Sequence, residues 1–78
     1  MKFYRVDISN GQIVECKEIT KRNNLHDYLL IKKYKGFVHI NPVGLQPTAY
    51  LCKASGYFEA KEKAFGFLER TAKHNLQY

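Results

Sequence analysis

The residues of this chain best suited to nucleophilic or metal chemistry are His26, His39, His74, Cys16 and Cys52. A zinc site assembled from sequence-local ligands needs pairs two to five residues apart, and none of these five residues forms such a pair. Each of the three histidines belongs to a different expected element, so no metal and no cofactor is expected. Cys52 with His39 would make a thiol–imidazole pair only if neighbouring strands placed them side by side, and no third group in the sequence orients such a pair. Ser9 and Ser55 stand in turn-like segments, where serine serves the backbone, and neither has the Gly-x-Ser-x-Gly setting of a nucleophile. Glu59, Glu62 and Glu69 fall on the solvated side of a helical pattern. Asp27 suits the first turn of a helix better than the role of general base. The glycines at 36 and 44 lack the spacing of a phosphate loop. Catalysis is not expected.

Charge is more informative. Thirteen Lys and Arg against seven Asp and Glu give a net charge of +6, which favours anionic partners. Between Lys17 and Lys35 lie six cations and two acids, which is +4 of that total. Lys21 and Arg22 precede an expected helix, while Lys32, Lys33 and Lys35 close it. Tyr34 stands among the lysines, and a ring flanked by cations is a usable platform for a nucleotide base. Two functions follow. One is a small protein-binding module, of the inhibitor or adaptor type that phages and mobile elements encode, whose basic surface engages an acidic protein or protein complex. Its contacts would include Tyr50, Tyr57, Phe67 and Tyr78. The other is a DNA- or RNA-binding domain that touches phosphates through Lys21, Arg22, Lys32, Lys33 and Lys35. Dispersed lysines beside an exposed apolar patch would favour the first, and a continuous basic stripe carrying Tyr34 the second. Lacking a helix that combines basic and base-reading residues, the chain reads first as a protein binder.

These groups must be positioned by a single domain over residues 1–78. At this size a core supplies only about 3–5 kcal/mol net. Aromatic residues make up 14% of the chain, enough to leave some ring surface outside and to permit a homodimer. The first residues run straight into a strand-like segment, and no apolar run approaches the roughly 18 residues of a membrane span, so a cytoplasmic protein with reduced thiols and no membrane contact is expected.

Tyr4, Val6 and Ile8 alternate with Arg5 and Asp7, and after Ser9-Asn10-Gly11 come Ile13 to Cys16, which predicts a β-hairpin. A three-residue loop is preferred, because it sets Val6 against Val14, Tyr4 against Cys16 and Arg5 against Glu15. Asn24 with Asp27 makes a capping box for a helix over 25–35, with Leu25, Tyr28, Leu29 and Ile31 as its apolar side and Gly36 as its stop. A strand through 28–32 is the competing reading. Strands follow at 37–41 and 48–53, the second with Ala49 and Leu51 on one face and Tyr50 and Cys52 on the other. An amphipathic helix closes the chain from about 58 to 74, packing through positions 58, 64, 65, 68 and 72, with Phe67 at the border. The fold class is α+β in the order β-β-α-β-β-α, an antiparallel sheet packed by the C-terminal helix. The stretch from Gly56 to Ala64 resembles the strand-to-helix junction of the three-stranded arm-site DNA-binding domains of tyrosine recombinases. It covers nine residues and carries no functional position across.

Overall fold

The computed structural model describes residues 1–75, with side chains through Thr71. Its elements are β1 (Lys2–Ser9), β2 (Gln12–Ile19), α1 (Leu25–Tyr34), β3 (Gly36–Ile40), β4 (Pro47–Ala54) and α2 (Tyr57–Asn75), in the expected order. The four strands form one antiparallel sheet, ordered β2-β1-β4-β3. Helix α1 lies on one face of it and α2 on the other. Tyr4, Val6, Cys52 and Ala54 pack with Ala60 and Ala64 of α2, whereas Ile19 and Leu51 pack with Ile31 of α1. Alternation along β1 and β4 separates the two sets, since neighbouring residues of a strand point to opposite faces. The assignment of Ala49 and Leu51 against Tyr50 and Cys52 follows the expected pattern.

The hairpin differs from its predicted register. Ser9 pairs with Gln12, so the turn has two residues, and Asn10 and Gly11 take positive φ of 53° and 74°. This is the mirror-image turn whose twist suits a hairpin. A β-bulge beyond Ile13 then shifts the register, so that Val6 faces Cys16, Asp7 faces Glu15 and Arg5 faces Lys17. A two-residue turn without a bulge would have set Val6 against Glu15. The extra residue, Val14, restores an apolar partner and is itself left exposed.

Helix α1 begins as expected: the Asn24 side chain accepts from the Asp27 backbone N–H. It ends one residue early. Lys35, with φ of 61°, takes the left-handed cap position and its N–H reaches the Ile31 carbonyl, while Gly36 opens β3. Ile31 is fully buried and Tyr28 packs on Phe3, but Leu25 and Leu29 face solvent instead of the sheet.

Helix α2 is rotated relative to its predicted packing side. Ala64 is fully buried against the sheet as expected and Ala60 joins it, while Phe58 and Phe65 are 77% and 58% exposed. Small residues let the helix lie close to the strands, and Tyr57 and Phe67 flank the contact by packing on Tyr4 and Tyr50 at 5.1 and 5.2 Å. Position 72 lies outside the described side chains. The helix start has no Ser or Thr immediately before it. Instead the Glu59 carboxylate accepts from both the backbone N–H and the hydroxyl of Ser55, and these bonds hold its pKa below the ordinary value.

Candidate functional site

Three surfaces concentrate side chains beyond what packing needs. The first is basic. Lys21 and Arg22 stand exposed in the turn before α1, and Lys32, Lys33 and Lys35 at its other end, about 15 Å away by helical rise. None of the five enters an ion pair among the described residues. Lys32 caps the Tyr28 ring at 5.6 Å and Lys33 the Tyr34 ring at 5.3 Å. Tyr34 is half exposed and rests on Phe37. The predicted cations are thus divided between the ends of the helix, with Tyr34 at one of them.

The second surface is apolar and lies on the outer side of α2. Phe58 and Phe65, two turns apart, border an open groove of about 620 Å³ together with Ile13, Lys61, Glu62 and Glu69. Both rings had been expected against the sheet. The aromatic contacts predicted from sequence fare differently: Tyr50 and Phe67 are half-buried and stack on one another, Tyr57 is half exposed beside Tyr4, and Tyr78 lies outside the described residues. Ala60 and Ala64, four apart, were the sequence signal that could have located the exposed pair. A helix that sits on a sheet through alanines must turn larger residues away from it.

The third surface is a polar cluster where the N-terminal turn of α1 crosses the sheet. Asp27 is 1% exposed and is the one buried charged residue among those described. Its Oδ2 accepts from Arg5 Nη1 at 2.7 Å and from Asn24 Nδ2 at 2.8 Å, and its Oδ1 meets His39 Nε2 at 2.9 Å. Arg5 Nε also donates to Asp7 at 2.8 Å along the same strand. Burial by itself would raise the pKa of Asp27. The bonds from His39 and Arg5, aided by the Arg5 charge, outweigh burial and hold the carboxyl below the ordinary aspartate value. In register, Ala49 stands between Asp7 and His39.

This cluster also collects two of the three histidines. His26, on α1, brings Nδ1 to 3.5 Å from Asp27 Oδ1, and its ring stacks over that of His39 on β3 with centroids 6.2 Å apart. The meeting comes from the crossing of α1 over the sheet and leaves no mark in sequence spacing. His74 is outside the described side chains. The conceivable Cys52–His39 pair is excluded by geometry: Cys52 belongs to the face under α2, and His39, aligned with Ala49, to the face under α1. Burial pushes the Cys52 thiol up to about 11, and Cys16 is also raised, first by burial, so both behave as packing residues.

No helix among the described residues is long and apolar enough to cross a membrane. Comparison with known proteins returned no matching family, no matching curated protein and no matching solved structure.

Proposed function

We propose that this chain is a non-enzymatic protein-binding module that docks through the outer side of α2 onto an acidic partner protein. The observation that carries this reading is the rotation of α2, in which Ala60 and Ala64 face the sheet and Phe58 and Phe65 face solvent. Two large rings left outside a core this small forgo hydrophobic stabilisation unless a second surface covers them. Aromatic residues at the centre of a contact carry much of its binding free energy. The net charge of +6, of which +4 lies in residues 17–35 outside α2, speeds encounter with an acidic protein from a distance. Lys61, Glu62 and Glu69 border the same groove, so the complementary patch is apolar at its centre and of mixed charge at its rim.

The second reading, nucleic-acid binding, draws on one specific feature: half-exposed Tyr34 flanked by Lys33 and Lys35. Against it stands the separation of those lysines from Lys21 and Arg22 by the length of α1.

Photocrosslinking separates the two. A photoreactive phenylalanine placed at position 58 or 65, in the cells that produce the chain, is expected to capture a protein of negative net charge, and the same probe at position 34 is not. Capture at 34 of nucleic acid, or capture at 58 and 65 of only a second copy of the chain, would overturn the proposal.

A further inference from the structure

We propose that His26, Asp27 and His39 form a binding site for one divalent transition-metal ion, Zn²⁺ being the ion the donor set fits best. The ligating atoms of the three side chains all lie within 4.8 Å of one another. In a tetrahedral zinc site, metal–ligand distances of about 2.0–2.1 Å place ligand atoms about 3.3 Å apart. Asp27 Oδ1 is already 2.9 Å from His39 Nε2 and 3.5 Å from His26 Nδ1. The first separation opens slightly, the second closes slightly, and the exposed His26 ring, now stacked on His39 with centroids 6.2 Å apart, swings so that both ring nitrogens face one ion.

The rest of the cluster supports the same use. Carboxylates that bind metals have their second oxygen fixed by outer hydrogen bonds, and Asp27 Oδ2 is fixed by Arg5 and Asn24. The His39 ring is held edge-on by Phe37 at 5.4 Å. Arg5 does not make the site electropositive, because Asp7 and Asp27 together outweigh it and leave −1 before an ion enters. Two imidazoles and one carboxylate suit zinc, copper or nickel and are too nitrogen-rich for magnesium or calcium. On binding, the neutral His39 ring carries its proton on Nδ1 and turns the Nε2 lone pair to the ion, replacing its present bond to Asp27. The His26 side chain is 78% exposed, so the site opens to solvent and the remaining position is filled by water. The ion would then tie α1 to β3 while keeping one exchangeable ligand. With a chain of net charge +6, non-specific adsorption of cations is weak.

The test uses the full chain without an affinity tag, stripped with chelator and titrated with Co²⁺ and Zn²⁺. The expected result is one saturable site by calorimetry, intense visible d–d bands for the Co²⁺ form that Zn²⁺ removes, and a rise in Tm of about 15 °C at a hundredfold excess of Zn²⁺ over Kd. His26→Ala, at an exposed position, and His39→Ala should each weaken binding by about tenfold or more, while His74→Ala leaves it unchanged. Absence of the Co²⁺ bands with no saturable heat would overturn the proposal. So would affinity that is unchanged in both His26→Ala and His39→Ala, or lost in His74→Ala.

Discussion

Replacing Asp27 by Asn tests how much the polar cluster contributes to the fold. The substitution keeps the shape of the side chain but removes its charge, and it exchanges one acceptor oxygen for an NH₂ group. Three donors now converge on that carboxylate, from Arg5, Asn24 and His39. An amide can satisfy only some of them. Removing one member of a fully buried ion pair costs roughly 3–5 kcal/mol. Here the Arg5 side chain is 32% exposed and keeps its bond to Asp7, so solvent screening lowers the expected cost to about 2 kcal/mol. For a domain with about 3–5 kcal/mol in total, that is a large share. Urea unfolding followed by far-ultraviolet circular dichroism, with chelator present, should show the midpoint falling by about 1–2 M at unchanged slope. Heating should show Tm lower by about 10 °C. The pH dependence gives a second check. The folded pKa of Asp27 is depressed, so its contribution is complete above the unfolded value of about 3.9 and disappears as pH falls through the lower folded value. The wild-type advantage over Asp27→Asn should therefore hold at neutral pH and shrink below about pH 4. A difference under about 0.5 kcal/mol at pH 7, or one that grows in acid, would show that the cluster does not stabilise the fold through the charged Asp27.

Phe58→Ser with Phe65→Ser should leave the urea midpoint nearly unchanged, since both rings lie outside the core, and a loss above about 1 kcal/mol would return them to it. Gly66→Ala should stabilise by about 1 kcal/mol, because the new methyl meets only the end of the flexible Arg70 side chain at 3.4 Å; thermal denaturation reads the change. Ala64→Leu, at a fully buried contact of α2 with the sheet, should destabilise by about 1–3 kcal/mol in urea. Cys52, its thiol pushed up to about 11, should react with a thiol reagent at pH 8 far more slowly in the native than in the urea-unfolded chain, as followed by absorbance.

Element order and sheet faces were legible because they depend on local pattern. The alternation of Tyr4, Val6 and Ile8, the Asn24–Asp27 cap and the split of β4 into Ala49/Leu51 and Tyr50/Cys52 each rest on a few adjacent residues. What failed rests on tertiary choices. The hairpin register turned on a bulge at Val14, which no turn motif announces. The packing face of α2 depended on how closely it approaches the strands, a distance that favours Ala60 and Ala64 over Phe58 and Phe65 although hydrophobicity alone ranks them the other way. Leu25 and Leu29 misled in the same manner on α1. At the candidate sites, the basic residues were visible by composition, but their division between the two ends of α1 required the helix to be placed. His26 and His39 are joined only by the crossing of α1 over β3, with Asp27 beneath both.

Binding to a protein through the exposed rings of α2 is the proposed function. Its most direct test is calorimetric titration of the crosslinked partner, once purified, with the wild-type chain and with the Phe58→Ser/Phe65→Ser variant at low and physiological salt. Truncating a central aromatic contact costs about 2 kcal/mol or more, so the expected Kd is about thirtyfold weaker or more for the variant, with the wild-type affinity falling moderately as salt rises. Equal affinity of the two chains, or saturable binding to oligonucleotides that a Lys32/Lys33/Lys35 triple alanine variant abolishes, would contradict it.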